Sequence, residues 1–159
     1  MTSVDALQIL NQFASLQGHL VRKFLHLYDP KDRERFRDVP NGTLSVNGRT
    51  WSHQRHGAGV TFTDSNNTRV NAHVGMTEHP EGIDSGRILE YLESLDITTV
   101  SFDNRDYSAT IHDINNLIND MTQRGLLRTV TTQGRFPHQM FKLTHVSNIQ
   151  RDGGNIPVS

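Results

Sequence analysis

The strongest constraint on the fold lies in residues 43–75, where side-chain character alternates with a period of two. Successive residues of an extended strand face opposite sides, so this alternation signals half-buried β-strands. The stretch TLSVNGRTW carries it most sharply. Asn47-Gly48 is a preferred pair for a two-residue type I′ turn, because both positions need positive φ. That turn pairs Val46 with Arg49, Ser45 with Thr50, and Leu44 with Trp51. Further turns near His56-Gly57 and at Asp64 to Asn67 complete a four-stranded antiparallel meander.

Register decides which side chains meet, because a one-residue slip turns a whole strand over. Pairing Phe62 with Val70, Val60 with Ala72 and Ala58 with Val74 gathers the apolar residues on one face. The loop is then Ser65, Asn66 and Asn67, with Asn67 in the left-handed position. Gly59 falls opposite His73, leaving room for the imidazole or for a ligand beside it. A two-residue turn at His56-Gly57 pairs Trp51 with Phe62 and His53 with Val60. His53 then faces the core and His73 the opposite side. A one-residue slip would instead gather His53, Arg55, Asn71 and His73 on the polar face. The first arrangement is preferred because it keeps Trp51 beside Phe62.

Around the meander, residues 3–28 read as one amphipathic helix. Leu7, Leu10, Phe13, Ala14, Val21, Phe24, Leu25 and Tyr28 fall mostly three or four apart. Thr2 with Asp5 resembles a capping box, Gly18 is expected to bend or weaken the helix, and Asp29-Pro30 ends it. Residues 30–42 are charged and read as a solvated loop, with Arg33, Arg35 and Arg37 offset by interspersed acids. Asp84 is placed to cap a helix holding Ile88, Leu89, Tyr91, Leu92 and Leu95. Residues 97–102 read as a short strand. Thr110 with Asp113 opens another helix, with Ile111, Ile114, Leu117, Ile118 and Met121 as its stripe and Gly125 at C′. Leu126 to Val130 and Met140 to Val146 form a last hairpin. The fold class is α+β: a long N-terminal helix packed on an antiparallel meander, with further helices and a C-terminal hairpin. One domain spans 1–146, and 147–159 is a flexible tail.

Composition removes several function classes. The 159 residues include no cysteine, which excludes disulfides, thiolate zinc sites and thiol catalysis. Sixteen Lys and Arg against seventeen Asp and Glu leave no basic excess for nucleic acid. No apolar run reaches the roughly 18–20 residues of a spanning helix, and the N-terminus lacks a signal-peptide pattern. The expectation is a soluble cytoplasmic protein without a membrane partner.

Nine histidines invite a search for a site. His53, His56 and His73 are the metal candidates, but a metal needs about three or four converging ligands, and no HExxH accompanies them. No metal is favoured and no cofactor is expected. His73, His53 and Asp84 are the catalytic candidates, with Asp84 or Glu81 as partners of a histidine base. His53, Arg55, His56, His73 and Arg87 are the ligand-binding candidates; Arg87 near a helix start suits an anion. Gly57-Ala58-Gly59-Val60 follows a turn rather than opening a helix, so it is no phosphate loop. The helix, turn and ribbon from Ile111 onward resemble the end of a winged-helix domain, with Arg128, Arg135, His138 and Lys142 on the wing. The segment before them reads as strand and loop rather than the short helices a winged helix needs.

Three motifs carry a resemblance. Trp51, His53, His56, Gly57, Gly59, Val60 and Phe62 spell W-x-H-x-x-H-G-x-G-V-x-F, and Val70, Ala72, His73, Val74 and Gly75 spell V-x-A-H-V-G. Glu81, Gly82, Ile83, Asp84, Arg87, Ile88, Tyr91, Leu92, Glu93 and Ser94 form the third. Over residues 51–94 the chain resembles a group of small bacterial proteins classed only as a domain of unknown function. An aromatic often stands in that pattern where this chain has Ile83 and Gly86. The resemblance implies no activity. By analogy, small bacterial proteins of this type often look like immunity or accessory proteins. The leading expectation is therefore a binding protein, such as an immunity-like inhibitor of a toxin, contacting its partner near Trp51 or the 30–42 loop. A histidine-centred enzyme or a metal- or anion-binding domain is the alternative, and a winged-helix-like nucleic-acid binder the second.

Overall fold

The computed structural model describes residues 3–27, 42–56, 59–73, 79–132, 137 and 139–144. The chain begins with a short strand β1 (Ser3–Asp5) and runs directly into α1 (Ala6–Leu27). Helix was expected from residue 3, but Ser3–Asp5 pairs in parallel with Thr99–Ser101, and these long-range backbone bonds outcompete one more helical turn. Asp5 itself caps the helix, its Oδ2 accepting from the Gln8 amide at 3.0 Å. Thr2, Tyr28 and the 30–41 segment lie outside the described residues, as does the 147–159 tail.

The meander follows as β2 (Gly42–Val46), β3 (Arg49–His56), β4 (Gly59–Asp64) and β5 (Arg69–His73), neighbours in that order. Asn47 and Gly48 take φ of 53° and 76°, and the hairpin pairs Leu44 with Trp51 as expected. The β4–β5 register also matches expectation, with Phe62 opposite Val70, Gly59 opposite His73, and Asn67 left-handed.

The β3–β4 register differs by two residues. Trp51 lies opposite Asp64 rather than Phe62, and His53 opposite Phe62 rather than Val60. A shift of two preserves every inward and outward assignment, so apolar patterning is indifferent to it. Polar contacts are not indifferent. The observed register brings Arg49 of β3 to the inward-facing Asp64, with which it pairs, and within its own turn Asp64 also accepts from the amides of Asn66 (2.9 Å) and Thr68 (2.8 Å). Burial pushes the Asp64 carboxyl up, but Arg49 and these two amides outweigh it and hold the group below its ordinary value.

The inner face of this sheet packs on α1 through Leu44, Val46, Trp51, Val60, Phe62, Val70 and Ala72, all buried. Phe24 meets both Phe62 and His53 edge-on, with ring centroids 6.0 and 5.3 Å apart. Gly18 does not break α1, which continues to Leu27. A Cβ there would stand 2.7 Å from Glu81 Cγ, so the glycine makes room for that side chain, whose carboxylate reaches Arg22 at 2.8 Å.

The remaining elements are α2 (Ser85–Ser94), β6 (Thr99–Phe102), β7 (Arg105–Ser108), α3 (Ile111–Gln123), β8 (Leu127–Thr131) and β9 (Gln139–Leu143). Thr110 caps α3 as expected, accepting from Asp113 at 3.2 Å. Gly125, at φ 78°, closes the helix, with Leu126 donating to Met121 and Gly125 to Thr122. Strand β7 was not anticipated. Only Tyr107 in it is buried, so it shows no alternating pattern, and its turn is Asp103-Asn104 rather than a glycine pair.

The approach to α2 is clamped from both sides. Buried Gln17 of α1 donates to the carbonyls of Pro80 (3.0 Å) and Gly82 (2.6 Å). Ile83 exchanges backbone bonds with Phe141 of β9, and a Cβ on Gly82 would fall 1.9 Å from Met140 Sδ. These contacts set where α2 starts and hence where its first turn points.

Asp64→Asn should cost about 2 kcal/mol at neutral pH in urea unfolding, because a charged, buried hydrogen-bond hub loses its charge. A depressed carboxyl stabilises above its unfolded value near 3.8 and loses that contribution as pH falls through its folded value. The difference between mutant and wild type should therefore shrink in acid, and a penalty that stays constant to low pH would contradict the account. His53 is lowered from 6.5 by burial, so the unfolded chain binds a proton that the folded chain resists. Stability should drop as pH falls below about 6.5, and His53→Gln should flatten that slope in thermal melts between roughly pH 7.5 and 5.5. Equal slopes would count against it.

Candidate functional site

The pleat that sends apolar residues towards α1 sends a second set outward. On β4 and β5 the outward positions are Gly59, Thr61 and Thr63, with Arg69, Asn71 and His73 opposite. His56 at the end of β3 pairs with Gly59 and joins them. Helix α2 runs beside β5 and satisfies part of its backbone, since the Arg69 amide donates to Ser94 Oγ at 3.0 Å. Between the outward sheet face and the first turns of α2 lies a cleft of about 500 Å³. Its polar wall is His56, Thr61, Arg69, Asn71, His73, Asp84, Arg87 and Glu90.

This wall is fixed by hydrogen bonds. His56 Nε2 meets Thr61 Oγ1 at 2.6 Å, and the Thr61 hydroxyl donates to Asn71 Oδ1 at 2.5 Å. Asn71 Nδ2 donates in turn to Glu90 Oε2 on α2. The missing side chain of Gly59 does give room to an imidazole, but to that of His56 rather than His73: a Cβ on Gly59 would lie 3.0 Å from His56 Cε1. Asp84 caps α2 by accepting from the Arg87 amide at 2.9 Å, and its other oxygen pairs with the Arg87 guanidinium. Arg69 is exposed, and its guanidinium makes no ion pair or hydrogen bond among the described residues.

The structure thus brings together four of the sequence candidates, His56, His73, Asp84 and Arg87. It separates two others. His53 is buried against Phe24 and Phe62 on the inner face, and Arg55 shares that face and does not line the cleft. Asp84 and Glu81 engage Arg87 and Arg22. Among the described residues no three His, Asp or Glu side chains are grouped to hold a metal ion. Trp51, near which contact with a partner was expected, is completely buried on the core-facing side of β3.

Sequence reasoning missed Thr61, Arg69 and Glu90 as site residues. Thr61 and Arg69 were within reach, because the β4–β5 register places them on the face of His73. Glu90 was not, because its place depends on how α2 docks beside β5.

The winged-helix reading finds little support. A β-hairpin, β6–β7, precedes α3 where short helices are needed, and the exposed residues of α3 are Ile111, expected in its apolar stripe, with His112, Asn115, Asn116, Asn119 and Gln123, none of them Lys or Arg. Arg128 and Lys142 sit opposite each other on β8 and β9, while Arg135 and His138 lie outside the described residues. Among the described residues no helix is long and apolar enough to cross a membrane.

No curated protein and no solved structure matches the chain. A family described as a domain of unknown function (DUF6896) matches residues 6–141, which takes in α1, the meander, the cleft and part of β9. With that span covering most of its length, the chain belongs to this family.

Proposed function

We propose that the protein is a cytoplasmic binding protein rather than an enzyme, and that it receives an anionic group in the cleft between β4–β5 and α2. The observation that carries this reading is Arg69. Its guanidinium stands exposed at a wall whose other charged members, Asp84, Arg87 and Glu90, already have partners. A guanidinium favours planar oxyanions, which it binds through paired N–H donors. His56 and His73 add polar ring nitrogens to the same lining. The wall is organised by its own hydrogen bonds before any ligand arrives, which lowers the ordering cost of binding.

A protein partner of the toxin-inhibitor kind is the second reading. Thr43, Ser45, Thr50, Ser52 and Gln54 form an exposed polar face on β2 and β3, the same side of the sheet as the cleft. In that case an Asp or Glu of the partner supplies the anion.

Calorimetric titration with inorganic phosphate tests the first reading. Wild type should bind, and Arg69→Ala should weaken binding about tenfold. Its unfolding free energy should stay within about 0.5 kcal/mol of wild type, as for an exposed residue. Unchanged phosphate affinity in the variant would remove Arg69 from the site. Loss of co-purification with the product of the neighbouring reading frame in the same variant would favour the protein partner.

A further inference from the structure

The four-residue chain along the cleft wall has only one consistent direction. A carboxylate accepts hydrogen bonds and does not donate them, so Glu90 holds Asn71 with its Nδ2 turned towards α2. That leaves Asn71 Oδ1, an acceptor, facing Thr61. Thr61 has a single hydroxyl proton and must spend it on Asn71. Its oxygen can then only accept from His56, so Nε2 of His56 must carry a proton. In the neutral ring the other nitrogen, Nδ1, keeps its lone pair. The reverse polarity would turn the Asn71 carbonyl against the Glu90 carboxylate.

We infer that Glu90, acting through Asn71 and Thr61, locks neutral His56 as the Nε2–H tautomer, and that the cleft consequently selects an oxyanion that still carries an O–H. Such a ligand accepts from Arg69 and donates to His56 Nδ1. Hydrogen phosphate has this chemistry, whereas sulfate brings only acceptors and would set a lone pair against Nδ1. The ligand class rests on the anion-binding reading above, but the tautomer does not. Glu90, Asn71 and Thr61 act here as positioning residues.

Two measurements separate these parts. Long-range proton–nitrogen NMR of the imidazoles at a pH where His56 is neutral should show one form, with a protonated Nε2 and a bare Nδ1. The near-isosteric Thr61→Val should let the Nδ1–H form appear, and Glu90→Gln, which no longer dictates the Asn71 orientation, should do so more weakly. Calorimetry on the full chain should show inorganic phosphate binding about tenfold more tightly than sulfate, with the preference largely lost in Thr61→Val. An Nδ1–H form in wild type, or a tautomer ratio unchanged by Thr61→Val, overturns the relay. A locked tautomer with equal affinity for the two anions overturns the donor requirement alone. A locked tautomer with neither anion bound overturns the ligand class and the anion-binding reading together, and leaves the relay standing.

Discussion

The pleat of the four-stranded meander is the constraint on which the other features depend. Because neighbouring side chains on a strand cannot face the same way, the strands that place Trp51, Val60, Phe62 and Val70 against α1 must place His56, Thr61, Asn71 and His73 on the other side. Core and cleft are two faces of one pattern. A residue cannot be moved from one to the other without turning over its whole strand, and turning over β5 would bury Asn71 and expose Val70.

Within that parity, polar contacts select the register. Apolar patterning treats the expected and observed pairings of β3 with β4 alike, since they differ by two residues. The buried Asp64 distinguishes them through its pairing with Arg49 of β3, while the two backbone amides it also holds belong to its own β4–β5 turn. A buried carboxylate with most of its hydrogen bonds made is tolerated, but one left without them is expensive. The pair therefore acts less as glue than as a marker of the correct alignment.

The cleft needs a second element, and its position is set far away in sequence. Gln17 of α1 and Met140 and Phe141 of β9 hold the Pro80–Ile83 segment, and that grip fixes the start of α2. Only then can Glu90, two turns into the helix, reach Asn71 on β5 and impose a direction on the chain that ends at His56. The site is thus assembled from β3, the β4–β5 pair and a helix placed by α1 and β9.

The sequence by itself determined the α+β class, the helix caps at Asp84 and Thr110, the Asn47-Gly48 hairpin, the β4–β5 register and the opposite facing of His53 and His73. These are local or depend on strand parity, and turn chemistry and period-two alternation record them residue by residue. Only the tertiary structure decided that β1 and β7 are strands, that β3 slides by two residues and that Glu90 completes the wall. Each of these depends on a partner distant in the chain, and single-residue patterns carry no record of such partners. The parallel pairing of Ser3–Asp5 with Thr99–Ser101 and the docking of α2 beside β5 are set by where packed surfaces meet.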